Sequence, residues 1–254
     1  MSTEPDATKL QSRASPEQRG AREKLLELYR STPIPTDELL VNPGLYMRSS
    51  VLAKLLYVNE LYQQILDLPG VVMEFGVWWG QNLALVQSLR AVYEPYNHMR
   101  KVIGFDTFEG YSSVAPEDGS HPLAAEGQYA VSRDYIDHLS EVLDYHEREN
   151  VMAHVPKYEL VAGDATKSIH DYLQRNPQTL IALAYFDMQL YEPTRACLEA
   201  IRPHLVRGSI VALDELGSDE FPGETQALRE TLGIDRYELR RSRFLPDRTY
   251  LVVD

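Results

Sequence analysis

Residues 71–80 read Val-Val-Met-Glu-Phe-Gly-Val-Trp-Trp-Gly, an apolar run that ends in a turn bounded by two glycines. The run follows the chain-breaking pair Pro69-Gly70 and contains β-branched valine, which indicates a short buried strand. A helical pattern of apolar residues then resumes over residues 81–89. We interpret this strand, glycine turn and helix as the first crossover of a parallel α/β sheet. In such a crossover the glycines let a ligand approach the backbone, and the helix N-terminus offers free N–H groups.

The spacing of the acid and the glycines in this turn distinguishes between cofactors. Glu74, Gly76 and Gly80 form the pattern Glu-x-Gly-x-x-x-Gly, whereas a dinucleotide-binding turn has Gly-x-Gly-x-x-Gly. The pattern is that of enzymes that bind S-adenosylmethionine, which has no pyrophosphate and needs no third glycine. Its methionyl end carries an ammonium group that an acid and a glycine turn can receive. The alternative is a plain strand-to-helix turn without a ligand.

The composition of the 254-residue chain favours one large α/β domain with appendages. Apolar residues make up 44% of the chain, enough for a sizeable core. The net charge of -13 argues against a nucleic-acid substrate, because a phosphate backbone requires a basic surface. The single cysteine, Cys197, excludes a disulfide within the chain. The sequence has no apolar signal region and no membrane-length apolar segment, so we expect a cytoplasmic protein without membrane contact.

The order of patterns along the chain predicts three parts. Residues 1–20 are polar and aperiodic, which is typical of a mobile tail. Residues 21–68 carry helical patterns and form a predicted N-terminal extension. Residues 69–254 form the predicted α/β domain, whose alternation of strands and helices is interrupted at residues 107–157. That interruption is too long for an ordinary connection, and insertions at a binding edge are often lids.

Two further predicted strands end in residues that suit an adenosine moiety. Asp106 closes one strand and is placed to accept both ribose hydroxyls, with a loop-capping role as the alternative. Phe108 follows it and either stacks on adenine or packs the loop. Asp164 ends the next strand and Ala165 begins a helix, so that Asp164 either reaches the adenine amino group or caps the helix.

Carboxylates follow two consecutive buried strands of the predicted sheet. Asp187 ends the apolar run that begins at Leu180, and Asp214 and Glu215 end the run that begins at Gly208. Parallel strands bring their carboxyl ends to one edge, where acids repel one another and raise their pKa values. A divalent cation resolves this repulsion, and oxygen ligands favour Mg²⁺, Mn²⁺ or Ca²⁺. The alternative is three separate acids that are solvated or paired with arginine.

Taken together, these motifs resemble the macrocin O-methyltransferase (TylF/MycF-type) family. The resemblance runs from about Tyr46 to the C-terminus and rests on four motifs: residues 74–80, Gly-Phe-Asp-Thr-Phe-Glu-Gly at 104–110, Phe-Asp-Met-Gln-Leu-Tyr-Glu-Pro-Thr at 186–194, and Asp214-Glu215. Members of the family are metal-dependent enzymes that methylate sugar hydroxyls in natural-product biosynthesis, antibiotic biosynthesis among them. The resemblance implies a class I S-adenosylmethionine methyltransferase fold, which is a Rossmann-like seven-stranded sheet, here with a helical N-terminal extension and a lid insertion.

The resemblance also implies roles for the strand-end acids. S-adenosylmethionine is expected to aim its methyl group at them, while a metal ion on Asp187, Asp214 and Glu215 holds vicinal sugar hydroxyls and lowers the pKa of one. The family usually has a second aspartate at the position of Gln189. Because glutamine cannot act as a base, that role shifts toward Asp187, with His121 on the lid as the competing base.

A basic segment near the C-terminus carries the predicted substrate contacts. Arg240, Arg241 and Arg243 lie between the last two predicted strands of a strongly acidic chain. A nucleotide-linked sugar carries two phosphate charges, which guanidinium groups bind well. These arginines are therefore predicted to hold the diphosphate, with a solvated turn or a subunit contact as the alternative. The expected partners are a nucleotide-linked sugar or a glycoside, and a second copy of the chain in a homo-oligomer.

Three other functions compete with this interpretation. A catechol-type O-methyltransferase uses similar acids, but it favours a small aromatic pocket over a long lid. A noncatalytic S-adenosylmethionine-binding module does not need three convergent acids. An NAD-dependent oxidoreductase needs the third glycine that this turn lacks.

Overall fold

The computed structural model describes residues 14–254, and the part of the predicted tail at residues 1–13 lies outside them. The described chain contains seven strands and eight α-helices. The strands are β1 (Val71–Phe75), β2 (Val102–Asp106), β3 (Tyr158–Ala162), β4 (Ile181–Phe186), β5 (Leu205–Leu213), β6 (Glu238–Arg241) and β7 (Thr249–Val252). The helices are α1 (Pro16–Arg30), α2 (Thr36–Val41), α3 (Ser49–Gln64), α4 (Gln81–Tyr93), α5 (Tyr135–Glu149), α6 (Ala165–Arg175), α7 (Tyr191–Ile201) and α8 (Gly223–Thr231).

The chain divides into two compact units, and the first ends at Lys54. Within it, α1 begins at Pro16, five residues before the helix predicted at residue 21. The early start has a local cause, because Ser15 and Gln18 form a reciprocal capping box and proline is favoured in the first turn. Tyr46 donates a hydrogen bond of 2.9 Å to Thr32, and its ring meets the Tyr29 ring edge-on at 5.3 Å.

The second unit, Leu55 to Asp254, contains a seven-stranded sheet in the order β3-β2-β1-β4-β5-β7-β6. Strands β1 to β5 pair in parallel, and β7 pairs antiparallel with both β5 and β6. The boundary of this unit lies before the one expected at residues 68 and 69. It does so because Tyr57, Leu61 and Ile65, from the second half of α3 and just beyond it, are fully buried among strand residues.

Helices cover both faces of the sheet, as the alternation of side chains along buried strands requires. Val71, Met73 and Phe75 face a cluster built from α6, α7 and α8, whereas Val72 faces one built from α3, α4 and α5. At the carboxyl ends of the strands the ring of Phe75 is stacked between those of Phe105 and Phe186, at 4.9 and 4.7 Å. These three stacked rings pack directly below the loops that follow the central strands and support them.

The insertion at residues 107–157 has two structurally different halves. Its second half contains α5, which buries Leu139 and Leu143 in the core. At the end of α5 the buried Glu147 forms ion pairs with Arg90 of α4 and with Lys157, the latter at 2.9 Å. Breaking such a buried pair costs about 3–5 kcal/mol, so this half is an integral layer of the domain.

The first half of the insertion docks on the loop that follows β4. The buried carboxylate of Asp118 accepts hydrogen bonds from the backbone N–H of Tyr191, at 2.5 Å, and of Ala115, at 2.8 Å. Burial raises the pKa of Asp118, while these two bonds lower it. The segment predicted as a lid is thus tied to the N-terminus of α7.

Within residues 14–254, none of the helices combines the length and the apolar character that crossing a membrane requires.

Candidate active site

The glycine turn after β1 is packed tightly against the neighbouring strand. Gly76 and Gly80 have φ values of +92° and +76°, a region that side-chain-bearing residues rarely adopt. A Cβ atom at Gly76 would overlap the backbone carbonyl of Asp187, and one at Gly80 would overlap the side chain of Leu139. The glycines are therefore required by chain packing, whereas the sequence suggested only that they leave room for a ligand. Glu74, which precedes them, is buried and accepts a 2.8 Å hydrogen bond from Asn82.

Asp106, at the end of β2, ties this turn to the start of the insertion. One of its carboxylate oxygens accepts hydrogen bonds from the N–H groups of Val77 and Trp78, at 2.7 and 2.8 Å. The other accepts a single bond of 2.6 Å from the N–H of Phe108. Because a carboxylate oxygen can accept two bonds, the second oxygen keeps capacity for a ribose hydroxyl. The loop-capping and ligand-binding interpretations of Asp106 are thus compatible.

The other residues predicted to contact the adenosine take structural roles. Phe108 packs against the core at its edge, with a φ of +58°. Asp164 caps α6, accepting a 3.0 Å bond from the N–H of Thr166, and Ala165 is the first residue of that helix. Burial acts to raise the pKa of Asp164, but the bonds from Thr166 and the nearby Lys167 outweigh it and lower the pKa.

Open space beside this cap fits a ligand. A Cβ atom placed on Gly163, where φ is +120°, would meet no atom within 4 Å. Together with the remaining acceptor capacity of Asp106, this space suits the adenosine of S-adenosylmethionine.

Asp187 and Asp214 follow β4 and β5 at equivalent positions along the two paired strands. Phe186 pairs with Leu213, and the next residues in each strand are Asp187 and Asp214. Asp214 is buried, and its Oδ1 accepts a 2.6 Å bond from Tyr185 and lies 2.6 Å from Nε of Arg248. The common edge that the sequence predicted for these acids is therefore present.

Arg248 brings a positive charge into this edge, and sequence reasoning missed it. It donates a 2.7 Å bond to the backbone carbonyl of Asp214 and lies 3.8 Å from Glu215. Burial opposes its charge, but Asp214 and Asp187 outweigh that effect and raise its pKa. Burial also raises the pKa of Glu215, which Arg248 lowers and Asp187 raises. The sequence left open whether these acids bind a metal ion, are solvated or pair with arginine. Asp214 pairs with an arginine, Arg248.

The acid edge fits a divalent cation in donor chemistry but not in arrangement. Asp187, Asp214 and Glu215 offer the oxygen ligands that such ions prefer. Among residues 14–254, however, no group of three or more His, Cys, Asp or Glu side chains is arranged to hold a metal ion. Arg248 and Tyr185 both contact Oδ1 of Asp214, which makes that oxygen a poor metal ligand.

A second residue that the sequence did not reveal is Glu224, in the first turn of α8. It is completely buried, and its two oxygens accept 2.9 Å hydrogen bonds from the backbone N–H groups of Gln189 and Glu215. Burial raises the pKa of Glu224 to about 8, and the charges of Asp214 and Asp187 contribute to the rise. This carboxyl group joins the loops that follow β4 and β5. A glutamate in the first turn of a helix was its only sequence signal.

His121, the competing base, lies in the docked half of the insertion. Its ring packs on Phe221 at 4.9 Å, its Nε2 lies 4.0 Å from Glu220, and its Nδ1 accepts a 3.3 Å bond from Leu123. The structure thus places His121 beside the loop between β5 and α8.

The hairpin arginines (Arg240, Arg241 and Arg243) lie at the edge of the sheet. Arg240 and Arg241 belong to the exposed strand β6, where Arg240 pairs with Glu238 at 2.8 Å. Arg243, in the following turn, lies 3.5 Å from Glu60. Arg241 pairs with Thr249, which pairs with Leu213, so the hairpin tip reaches the acid-bearing edge.

The fold and the site together define the class of protein. Five parallel strands in the order β3-β2-β1-β4-β5, an antiparallel β7 and an acid–glycine turn after β1 constitute a class I S-adenosylmethionine-dependent methyltransferase. More particularly, the chain belongs to the macrocin-O-methyltransferase (TylF) family, whose sequence pattern matches residues 53–236. It is an O-methyltransferase, and the predicted fold class and family are confirmed.

Comparison with individual proteins gives the same result. CalS11, a calicheamicin methyltransferase, shares 46% sequence identity and superposes with a TM-score of 0.92 over 99% of both chains. The apo structure of CalS11, a TDP-rhamnose 3'-O-methyltransferase of calicheamicin biosynthesis, matches with 44% identity and a TM-score of 0.84, over 95% of this chain and 96% of that one. NovP, an O-methyltransferase of 20% identity and TM-score 0.57 over 79% of both chains, shares the fold.

A curated relative is the 8-demethyl-8-(2,3-dimethoxy-alpha-L-rhamnosyl)-tetracenomycin-C 4'-O-methyltransferase of Streptomyces olivaceus. It is 27% identical over 172 residues, which are 66% of this chain. The match spans 60% of the length of that relative.

Proposed function

We propose that the protein transfers a methyl group from S-adenosylmethionine to a hydroxyl of a 6-deoxy sugar in antibiotic biosynthesis, the sugar being carried on a nucleotide or on a glycoside. The observation that carries the proposal is the packing of the cofactor turn on the acid edge. Gly76 is so close to the Asp187 backbone that no side chain fits between them. A methyl donor in the turn therefore lies beside a carboxylate. The sugar is inferred from the relatives, which act on TDP-rhamnose and on a rhamnosyl group.

The chain's own residues account for binding and proton transfer. When bound, S-adenosylmethionine supplies an electrophilic methyl group on a sulfonium. Glu74 and the turn would hold the methionyl end, while Asp106 would accept a hydrogen bond from a ribose hydroxyl. Asp187 would accept the proton that the sugar hydroxyl gives up as the hydroxyl oxygen becomes methylated. Asp187 is the preferred base over His121, because it follows β4 directly beside the turn.

Turnover with a defined acceptor tests this function. Purified protein is incubated with S-adenosylmethionine and, separately, TDP-rhamnose, free rhamnose and catechol, and methylated products are measured by mass spectrometry. We expect a methyl ether of TDP-rhamnose and none of catechol. Asp187→Asn should lower kcat by about 10²–10⁴-fold. The matched control is Asp219→Asn, an exposed carboxylate on the loop after β5.

The outcomes separate the competing functions. Methylation of catechol in preference to the sugar would identify a catechol-type enzyme. Binding of S-adenosylmethionine without turnover of any sugar or glycoside offered would favour the noncatalytic module. Calorimetry with NAD in place of S-adenosylmethionine tests the oxidoreductase.

Several finer expectations stay predictions. The divalent cation on Asp187, Asp214 and Glu215 is one, and it would share Asp214 with Arg248, whose Nε lies 2.6 Å from one of the two carboxylate oxygens. Binding of a nucleotide diphosphate by the hairpin arginines is another. The homo-oligomer and the cytoplasmic location also stay predictions.

A further inference from the structure

An aromatic cluster that the proposed mechanism does not use lies beside Asp187. The ring of Trp78, in the glycine turn, meets the ring of Tyr129 edge-on at 6.0 Å. Tyr129 in turn lies 5.2 Å from Tyr111, and both tyrosines come from the insertion. Backbone hydrogen bonds join their segments, because the N–H of Tyr111 donates to Gln128 and its carbonyl accepts from Gly127. Three rings from two distant segments thus form one cluster.

The cluster reaches the loop after β4 through Gln189. The hydroxyl of Tyr111 donates a 2.5 Å hydrogen bond to Oε1 of Gln189. Burial raises the pKa of Tyr111, as do the charges of Asp187 and Glu224, so the hydroxyl stays protonated and acts as a donor. Because the amide oxygen of Gln189 accepts this hydrogen bond, the orientation of the amide is fixed. Its N–H₂ group is then the end that donates hydrogen bonds on the opposite side.

The neighbouring charged residues indicate that the cluster lies in the part of the site that binds the sugar, which is the methyl acceptor. Burial, Asp187 and Glu215 raise the pKa of Tyr129, and a side-chain hydrogen bond from Gln189 lowers it. Asp187 and Glu215 follow β4 and β5, whereas Asp106 ends β2 and Asp164 follows β3. The tyrosine hydroxyls therefore lie where the acceptor must come.

Core packing alone does not account for the cluster. Trp78 is 37% exposed, although an indole is among the largest apolar surfaces a protein can bury. Trp78, Tyr129 and Gln189 all have positive φ values, of 49°, 64° and 64°, without being glycine. Residues held in this strained region concentrate at ligand sites.

We propose that Trp78, Tyr111 and Tyr129, together with the amide of Gln189, form the subsite for the sugar ring of the acceptor. The aromatic rings pack against the apolar C–H face and the methyl group of a 6-deoxyhexose. Of the two N–H bonds of the Gln189 amide, one donates to Tyr129 and the other donates to the hydroxyl next to the one that is methylated. Tyr111 is the positioning residue that fixes the orientation of this amide. The inference rests on the proposed function and deepens it.

The subsite predicts selective effects on the sugar. Trp78→Leu should raise the KM for TDP-rhamnose at least tenfold, since it removes the exposed ring. The Kd of S-adenosylhomocysteine and the inhibition constant of TDP alone should change less than twofold. Tyr145→Leu, which removes an exposed tyrosine of α5, is the matched control and should leave all three constants unchanged.

The proposed hydrogen bond from Gln189 to the sugar is tested by measuring kcat. Gln189→Glu cannot donate to the sugar hydroxyl and should lower kcat at least tenfold. Tyr111→Phe keeps the ring but frees the amide, and should lower kcat about threefold with little change in KM. Thermal unfolding checks that each variant folds, and Trp78→Phe replaces Trp78→Leu if the latter does not.

The results decide between the two levels of inference. If the wild type turns over TDP-rhamnose and the variants have the same KM and kcat for it, the subsite alone is overturned. The subsite is also overturned if the constants of TDP or S-adenosylhomocysteine change as much as the sugar KM. Absence of wild-type turnover both of TDP-rhamnose and of a rhamnosyl glycoside overturns the proposed function itself and, with it, the choice of this sugar.

Discussion

Asp106 joins two segments that the sequence separates by almost 30 residues, so its replacement has a calculable cost. Its carboxylate accepts three backbone N–H bonds of 2.6–2.8 Å, from Val77, Trp78 and Phe108. Hydrogen bonds to a charged acceptor contribute about 1.5–3 kcal/mol each, but an exposed N–H that loses its partner is rehydrated. Val77 is only 4% exposed, so its N–H loses the full amount, whereas Trp78 is open to water.

We therefore expect Asp106→Ala to lower the free energy of unfolding by about 3 kcal/mol. Asp106→Asn should cost about 1–2 kcal/mol, since the amide oxygen still serves one pair of bonds while its NH₂ group faces the N–H of Phe108. S-adenosylhomocysteine should bind about 10–100-fold more weakly to Asp106→Ala, because a ribose hydroxyl loses its acceptor.

Two measurements test these values. Urea unfolding followed by circular dichroism gives the stability, and isothermal titration calorimetry gives the affinity for S-adenosylhomocysteine. Glu109→Gln, an exposed carboxylate in the same turn, is the matched control. Wild-type stability together with wild-type affinity in Asp106→Ala would refute both the bridging role and the placement of the cofactor.

Four further predictions follow from the site. Gly76→Ala should destabilise the fold by at least about 2 kcal/mol, because φ is +92° and a Cβ meets backbone; Gly217→Ala, at φ +80° in open space, isolates the strain alone. Glu224 has a folded pKa of about 8 against an ordinary value of 4.5, so the folded state holds an extra proton between these values. In EDTA, the wild type should therefore lose stability relative to Glu224→Gln as pH rises from 5 to 8, by at most about 1.4 kcal/mol per pH unit; parallel urea-unfolding curves would contradict this. If the cation expected from the family resemblance assists the reaction, exhaustive EDTA treatment should abolish turnover and Mg²⁺ should restore it, whereas full activity after chelation would exclude metal assistance. Alanine at each hairpin arginine should raise the KM for TDP-rhamnose and flatten its salt dependence, with the exposed Arg229→Ala as control; unchanged kinetics in all three would leave the hairpin structural.

Local pattern was sufficient to locate most of the sheet. The apolar run before the glycine turn predicts β1 with the bounds it has in the structure, Val71 to Phe75. The last two strands were also located from the sequence, whereas their antiparallel pairing is seen only in the structure. The insertion was harder, because its charged helical pattern did not reveal that α5 buries Leu139 and Leu143. A helix that packs through a narrow apolar stripe has the same pattern as one that lies on a surface.

The site divides in a similar way. Residues at strand ends, such as Asp106, Asp187 and Asp214, were found because parallel strands place their carboxyl ends together. Glu224 and Arg248 were missed, although Arg248 immediately precedes Thr249, which pairs with Leu213. That register places Arg248 opposite Asp214, but register depends on pairing across the sheet and is not visible along one strand.

By itself, the sequence determined the class of fold and the sheet edge at which the glycine turn and the strand-end acids lie. These follow from the period of the apolar residues and from the position of glycines and carboxylates at strand ends, which are properties of short segments. Only the tertiary structure decided that Asp214 pairs with Arg248 and accepts a hydrogen bond from Tyr185, and that Tyr111 meets Gln189 across 78 residues of chain. These contacts join side chains that are far apart in the sequence, at separations unrelated to the periodicity of a helix or a strand. Only the packing of the whole domain brings them together.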